Sequence, residues 1–313
     1  MSERNQTVST TGEIVRGRGP RDARVLPYLL IAPALVFILT FTVWPTIRAI
    51  WQSLHQQRLN IAHMRDPEFI GLQNYAELIG DAEFLLVLRN TALYVGVTVP
   101  VSVLLGLLFA QMLNQKRPGI GFFRLAIFYP AVLPMVSIAT IWLFLYSPRN
   151  GLFMQVIRMI GFPGPNHWPS SPQFALPAVI LVFLFKQSGF YMIFYLAGLQ
   201  SIPGHLYEAA RLEGAGPLRV LISITLPLLR RTTVFVTTIA VIGSFQMIDH
   251  IFVITEGGPS NASRVMLYYI WQQRFSFMNV GKAQTLTVVL IVMLLVFTIS
   301  NVVLSERRSV DYE

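Results

Sequence analysis

Long apolar blocks separated by polar stretches dominate this chain and predict membrane-spanning helices. Each block holds roughly 20 residues, the length that crosses a hydrocarbon core of about 30 Å. The first block contains Pro33 and Pro45, is too long for a signal-peptide core and has no obvious small-x-small cleavage site before Trp51, so we expect it to be retained. The six predicted spans are 26–47, 90–113, 125–146, 174–199, 228–248 and 283–304. The pattern predicts an all-α integral membrane protein.

The polar segments divide the chain into three regions. Residues 1–25 are predicted to be a disordered cytoplasmic tail, residues 26–304 a six-span transmembrane domain, and residues 305–313 a cytoplasmic tail. Short loops rich in Lys and Arg mark the cytoplasmic side of a membrane. Outside the N-terminal tail, the side that carries both termini holds Lys116, Arg117, Arg124, Arg211, Arg219, Arg230, Arg231, Arg307 and Arg308. We therefore expect both termini, and the loop at 201–227, in the cytoplasm.

The loop at 201–227 is the most polar run between two spans. Residues 205–213 favour a short helix, and Gly214 and Gly216 provide the backbone freedom that ends it. Pro217 has no N–H to lose at a helix start, so a second helix can begin there. A rigid helix–break–helix element on the surface of a membrane protein indicates a partner outside the membrane.

Composition agrees with the membrane assignment. Of 313 residues, 54% are hydrophobic and 12% are charged, against about 25% charged in soluble domains. The net charge of +9 could indicate nucleic-acid binding, but no basic stripe with interleaved aromatic residues is present, and we expect no nucleic-acid partner. The absence of cysteine excludes disulfides, thiolate catalysis and cysteine metal sites in this sequence.

The sequence shows no catalytic or metal-binding pattern. The Gly281-Lys282 pair is followed by Ala283 and lacks the upstream glycine of a phosphate-binding loop. The scattered histidines are interpreted as ordinary loop residues: His55, His63, His167, His205 and His250. No carboxylate pair lies inside a predicted span, which disfavours a proton relay. We expect no catalytic residue, no metal and no cofactor bound by this chain, and an energy source elsewhere.

Lys186 is the clearest charge inside a predicted span. Its ammonium would cost roughly 2.5–3.5 kcal/mol on insertion scales. Either it snorkels or pairs with a neighbouring subunit's carbonyls or acid, or it faces a water-filled path and meets a polar or anionic solute. Gln187 and Phe190 lie one and four residues further on, so the three could share a helical face.

The fifth predicted span carries a second candidate group. Ser244 and Met247 share a face by their spacing of three, and Gln246 lies beside them. Polar residues also hold helices together inside membranes, and for Ser244 and Gln246 this interpretation is favoured.

The loop at 201–227 resembles the cytoplasmic EAA loop of permease subunits in binding-protein-dependent ABC importers. Its motif residues are Glu208-Ala209-Ala210, Glu213-Gly214-Ala215 and Ile224-Thr225-Leu226-Pro227. It departs from the pattern in Glu213, where Asp is commoner, and in Leu221, where Phe is usual. Residues 69–75, 196–203 and 255–259 with Gly281 also resemble segments of the carbohydrate importers, such as the maltose and glycerol-3-phosphate permeases. The resemblance covers the chain from about residue 26 onward.

The resemblance implies the type I ABC importer fold with a cytoplasmic coupling helix that docks on a separate ATPase. Glu208 would make a charged contact, Ala209 would allow close packing, and Gly214 would form the turn. The complete implied coupling set is Glu208, Ala209, Ala210, Glu213, Gly214, Ala215 and Pro227. The implied partners are a second homologous permease, commonly a non-identical sister, an ATPase dimer that binds ATP and Mg, and an extracytoplasmic solute-binding protein. All would assemble at the bacterial inner membrane.

The resemblance also implies a solute path along the fourth and fifth spans. The candidate path residues are Lys186, Gln187, Phe190, Ser244, Gln246 and Met247. The solute would be a sugar or derivative, such as an oligosaccharide, sugar alcohol, glycerol phosphate or sulfonated sugar. An ion-gradient-driven secondary transporter is the alternative, and it would need inverted repeats and ion ligands near the midplane. A membrane enzyme is a third class, for which no nucleophile–base pair is visible.

Overall fold

The structure is a computed structural model that describes residues 22–306. Residues 1–21 of the predicted tail at 1–25, and residues 307–313 of the predicted tail at 305–313, lie outside the described residues. The remaining residues of both predicted tails, 22–25 and 305–306, belong to helices. The chain divides into two compact units, Met1–Ala49 and Ile50–Glu313, and each is described by itself.

The described part of the first unit is helical. Helix α1 spans Asp22–Ile38, a π-helical turn spans Leu39–Val43, and helix α2 begins at Trp44 and continues to Ser53. Pro45 has no N–H to bond the carbonyl four residues earlier, and its ring would clash with that carbonyl. The wider π-helical turn just before it accommodates the proline. The first span therefore extends six residues beyond its predicted end at 47.

The second unit is built almost entirely of helices. Two short antiparallel strands, β1 (His55–Gln56) and β2 (Glu68–Phe69), precede them. The helices are α3 (Gln73–Gly80), α4 (Ala82–Leu113), α5 (Ile120–Val132), α6 (Met135–Leu145), α7 (Leu152–Met159), α8 (Ala175–Ser201), α9 (Gly204–Leu212), α10 (Pro217–Val220), α11 (Leu226–Leu228), α12 (Arg230–Gln246), α13 (Asp249–Ile254), α14 (Met266–Trp271) and α15 (Val280–Glu306). Short 3₁₀ turns lie at Ala62–Met64 and Trp168–Ser170, and π-helical turns at Leu221–Thr225 and Gln272–Ser276.

An apolar helix, or a pair of apolar helices, occurs at every predicted span. Within residues 22–306, five helices are long and apolar enough to cross a membrane, and the pair α5–α6 makes a sixth if it is one span. This pair is bent by 103°. Leu133 is extended, with φ −70° and ψ 146°, because the residue before a proline avoids the helical region, and Pro134 cannot donate a backbone hydrogen bond. The prediction of a continuous third span was therefore wrong at this point.

Two other predicted spans differ in their boundaries. Helix α4 begins at Ala82 rather than at 90, because the Asp81 side chain accepts a hydrogen bond from the Glu83 N–H at 2.9 Å and caps the helix. The fifth span is interrupted after Gln246, where Met247 is extended, and resumes as α13. The helical backbone thus reaches beyond the apolar core of the second span and breaks within the fifth.

Helix α8 is the centre of the second unit. It packs against α4, α5, α6, α12 and α13, and most of its residues are buried. Gly106 of α4 permits close approach, since a Cβ there would lie 2.9 Å from the Tyr191 Cβ. A helix surrounded in this way is apolar on all sides, which explains why α8 shows no amphipathic pattern. Outer helices instead expose large apolar side chains such as Leu104 and Phe144, as a surrounding bilayer requires.

Candidate coupling loop and solute path

The candidate coupling loop, residues 201–227, contains the predicted break between two helices. Helix α9 ends at Leu212, and Gly214 adopts φ +73°, the left-handed conformation that glycine reaches without strain. The Ala215 N–H donates to the Ala210 carbonyl at 2.9 Å, and the Gly214 N–H donates to the Arg211 carbonyl at 3.1 Å. These bonds satisfy carbonyls at the end of α9. The glycine break is therefore confirmed at Gly214.

The second helix of the loop starts at Pro217, as predicted, and runs to Leu228 through the π-helical turn. The turn lies just before Pro227, so it relieves the same proline conflict as in the first span. The Tyr207 and Thr225 hydroxyls lie 3.3 Å apart and link α9 to this second helix. The loop is thus a rigid helical corner.

Exposure separates the coupling residues into two sets. Ala210 is buried against its own chain and Ala215 is half-buried. The others are exposed: Glu208, Ala209, Glu213, Gly214 and Pro227. Leu212 is 90% exposed and Leu218 67% exposed, on either side of the glycine break. A surface with two leucines and with both acidic and basic side chains therefore projects from this corner, since Arg211 and Arg219 are exposed as well. Sequence reasoning missed the two leucines.

Lys186 lies in α8 with its ammonium against the end of α5. Its Nζ donates to the backbone carbonyls of Pro130 at 3.3 Å, Ala131 at 2.9 Å and Leu133 at 2.6 Å. The residue is buried, with 7% exposure. From the sequence we expected any such pairing to involve a neighbouring subunit, but the acceptors observed are carbonyls of this same chain.

Gln187 and Phe190 contact other neighbours. The Gln187 Nε2 donates to the Tyr191 hydroxyl at 3.3 Å, and it lies near Gly243 of α12. The Phe190 ring packs against the Tyr191 and Phe194 rings, with centroids 5.7 and 5.1 Å away. Lys186 therefore contacts α5 while Gln187 contacts α12, so the expected common face of these two residues is not formed.

The candidate residues of the fifth span lie around its break. Ser244 is buried and accepts a hydrogen bond from the Thr98 hydroxyl of α4 at 3.1 Å. Met247 is the extended, half-buried residue at the break, and Gln246 beside it is exposed. Ser244 thus joins two helices, whereas Gln246 remains available to a ligand or a neighbouring chain.

His250 is a buried residue that sequence reasoning misjudged. It lies in α13 with no exposed surface, so its interpretation as an ordinary loop histidine was wrong. Its Nε2 is 3.0 Å from the Tyr94 hydroxyl of α4, and its ring stacks with Tyr94 at a centroid distance of 5.9 Å. The only sequence signal was its position within an apolar run that continues past the predicted end of the span.

Two ion pairs join α4 to later elements of the chain. Arg264 pairs with Glu83, whose other carboxylate oxygen accepts a hydrogen bond from the Tyr269 hydroxyl at 3.0 Å. The Lys282 Nζ lies 2.6 Å from the Asp81 carboxylate. Burial alone would raise the pKa of Asp81, but Lys282 and the N–H groups at the start of α4 outweigh it and lower this pKa. Sequence reasoning missed both pairs because their members lie 181 and 201 residues apart.

The loop segments at 69–75 and 255–259 are held by specific packing. The Asn74 side chain donates to the Ser53 carbonyl at 2.9 Å and to the His55 carbonyl at 3.1 Å. A Cβ on Gly281 would lie 2.5 Å from that same His55 carbonyl oxygen. Gly257 has φ +76°, and a Cβ there would lie 2.8 Å from the Tyr268 ring. Both glycines are therefore required by close approach of the chain to itself.

Apolar helices around the buried helix α8, together with an exposed helical corner between two spans, are typical of a multi-span membrane protein. Across the part of the chain that the structure describes, no group of three or more His, Asp or Glu side chains could hold a metal. Residues 102–310 match the family described as the binding-protein-dependent transport system inner membrane component. The chain belongs to this family, so it is an inner-membrane transport subunit.

Individual relatives agree with the family assignment. The chain is 34% identical over 275 residues to the probable ABC transporter permease protein YurN of Bacillus subtilis, covering 87% of this chain and 93% of that protein. It is 32% identical over 282 residues to the trehalose/maltose transport system permease protein MalF of Thermococcus litoralis, covering 89% and 92%. The predicted assignment to the ABC importer permeases is confirmed, and the secondary-transporter alternative is not supported.

A solved structure confirms the fold. A chain of a bacterial ABC transporter involved in the import of the acidic polysaccharide alginate superposes with a TM-score of 0.78 at 21% identity. The match covers 92% of this chain and 97% of that one. The fold is that of a type I importer permease, as the sequence predicted.

Proposed function

We propose that this chain is one of two permease subunits of an ATP-driven importer for a sugar or sugar derivative. A second, homologous permease would complete the translocation path, and a separate ATPase dimer would bind ATP and Mg and supply the energy. A solute-binding protein would deliver the solute from outside. The similarity to a trehalose/maltose permease supports the solute class. The observation that carries the proposal is the exposed coupling surface at Glu208 and Leu212.

Helix α9 would transmit force between the ATPase and the spanning helices. Glu208 and Ala209 lie on its exposed side, whereas Ala210 packs on its own chain. The helix can therefore bind a partner while it keeps its packing against the rest of the chain. The Tyr207–Thr225 contact ties it to the helix that leads into α12. Closure of the ATPase dimer would then displace α12 and alternate the access of the path. Glu213, Gly214, Ala215 and Pro227 would maintain the shape of the corner.

The orientation of the chain follows from the same role. A loop that docks on a cytoplasmic ATPase lies in the cytoplasm, and the Lys and Arg bias of the short loops supports this side. With six spans, both termini would also be cytoplasmic. The ion pairs at the start of α4 would then lie on the outer side, where the solute-binding protein docks.

The solute path would run between α8 and α12. Phe190 offers an aromatic face, and Gln187, Ser244 and Gln246 offer hydrogen-bonding groups that suit sugar hydroxyls. Met247 lies at the break of the fifth span, where the backbone is extended rather than helical. Lys186 lies on the same helix but contacts the end of α5, and its three N–H donors are already engaged there.

Charge reversal at the coupling surface tests this function. Glu208→Lys and Gly214→Asp should abolish uptake while the chain still reaches the membrane, because the first reverses the docking charge and the second forces a side chain into a left-handed position. Matched controls are Glu77→Lys and Gly80→Asp, which make the same changes at exposed positions of α3.

Uptake and co-purification of the ATPase should be lost in the two loop variants, and co-purification of the ATPase should be kept in the two controls. Normal transport and normal ATPase binding in Glu208→Lys and Gly214→Asp would exclude the proposed coupling role. Stimulation of ATP hydrolysis by solute-loaded binding protein in vesicles would distinguish an importer from any gradient-driven carrier. A thermal-shift screen of that binding protein would identify the solute.

A further inference from the structure

The bend between α5 and α6 leaves backbone carbonyls without helical partners. The last carbonyls of any helix lack an intrahelical donor, and in a membrane no bulk water replaces it. Here the helix ends at Val132 inside an apolar segment, before Leu133 and Pro134 redirect the chain by 103°. A donor must therefore come from another element.

Lys186 of α8 supplies these donors. An ammonium has three N–H groups, and the three acceptors are the carbonyl oxygens of Pro130, Ala131 and Leu133, at 3.3, 2.9 and 2.6 Å. A positive charge at this site also complements the negative end of the α5 dipole. All three N–H donors of this buried lysine are thus paired at one helix terminus.

Gly189 provides an independent observation at the same interface. It lies three residues after Lys186, and a Cβ at this position would fall 2.0 Å from the Ile127 carbonyl oxygen of α5. The two backbones are in direct contact there, so no solute fits between them. The α8 surface that carries Lys186 therefore packs against α5 rather than lining a path.

A series of connected or packed helices also links the coupling loop to the bend. Helix α12 leads from the loop to the break at Met247, α13 follows it, and α6 packs against α13. A displacement of α12 can thus reach α6, whose angle to α5 is held at the bend.

We infer that Lys186 is a positioning residue: its ammonium fixes the angle between α5 and α6 and so controls the rate of transport, not the choice of solute. The rate part of this inference rests on the proposed importer function. The angle part rests on the hydrogen bonds alone.

Distance measurements test the angle directly. Because the chain has no cysteine, a spin-label pair can be introduced by Phe122→Cys on α5 and Phe144→Cys on α6, both of which are more than 70% exposed. In the assembled transporter in lipid nanodiscs, we expect a narrow distance distribution that Lys186→Met broadens or shifts. Lys186→Arg should restore it, since a guanidinium also carries charge and several donors. Lys186→Gln, whose amide has two N–H donors, should give a distance distribution between those of the wild type and Lys186→Met. It replaces the Met variant if that variant does not assemble.

Uptake kinetics test the rate. Lys186→Met should lower the maximal uptake rate by about tenfold or more, as expected when several charge-assisted hydrogen bonds are lost, with KM and the order of preferred sugars unchanged. Lys186→Arg should recover most of the rate. Ile193→Leu, a conservative change at a partly exposed position on the same helix, is the control that should alter nothing.

The outcomes separate the alternatives. An unchanged distance distribution in Lys186→Met, or failure of Lys186→Arg to restore an altered one, would overturn the inference. An altered KM or sugar preference with an unaltered distance would instead assign Lys186 to the solute path. If the chain is not an importer, no variant and no wild type transports sugar, yet the distance measurement still decides the role of Lys186.

Discussion

Substituting Gly189 by alanine tests the close contact between α8 and α5. The added methyl carbon would lie 2.0 Å from the Ile127 carbonyl oxygen, 2.9 Å from its carbonyl carbon and 3.2 Å from the Phe128 Cα. All three are backbone atoms, so no side-chain rotation can relieve the overlap. The two helices must separate, which disturbs the neighbouring bonds of Lys186.

The magnitude follows from two opposing effects. Overpacking of a well-packed interior typically costs about 1–3 kcal/mol, and a clash with backbone belongs at the upper end. Alanine in a helix gains about 1 kcal/mol over glycine, which offsets part of this cost. We therefore expect Gly189→Ala to destabilise the chain by about 2 kcal/mol.

The matched control is Gly96→Ala in α4. This glycine is also in a spanning helix, but it is exposed, and no atom from outside its own stretch of helix would lie within 4 Å of an added Cβ. Only the propensity gain remains, so the melting temperature of this variant should equal or exceed that of the wild type.

Thermal unfolding of the purified chain in detergent measures both variants. Gly189→Ala should melt several degrees below the wild type, with Gly96→Ala at or above it. Equal melting temperatures for the two variants would refute the close backbone contact and, with it, the geometry at Lys186.

Two further predictions concern the ends of the spans. The pKa of Asp81 is lowered, so its pairing with Lys282 stabilises the fold above the pKa of the unfolded chain, and this contribution disappears as the pH falls through the lower, folded-state pKa. Melting temperatures of the wild type should therefore fall on acidification through that range, and those of Asp81→Asn should fall less. Leu212→Ser should leave the melting temperature unchanged, because the side chain is 90% exposed, but should weaken ATPase co-purification. Retained ATPase binding would show that Leu212 lies outside the docking surface.

The spans and the coupling loop were predictable because their causes are local. A helix needs about 20 apolar residues to cross a bilayer, and this requirement is independent of the rest of the fold. Gly214 and Pro217 determine a helix end and a helix start through their own backbone properties. The motif at 208–215 indicated the permease family by resemblance, and the family comparison confirmed this class of protein.

The bend of the third span was only partly predictable. Pro134 signals a boundary from its own chemistry, yet the 103° angle depends on what packs against both halves. The same limit applies to His250, which is buried against Tyr94, a residue of α4 that lies 156 positions earlier in the sequence.

The sequence by itself thus determined the class of the protein, its spanning helices and the helix–break–helix loop at 201–227, since each depends on residues that are neighbours along the chain. Only the tertiary structure decided what the polar residues inside the membrane contact. The sequence left two interpretations of Lys186 open, because its hydrogen-bond acceptors lie 53 to 56 residues earlier in the chain. The packing of α8 against the end of α5 decides between them. Asp81 and Lys282, 201 residues apart, meet for the same reason: the partner of a buried charge is selected by packing, and no local pattern encodes it.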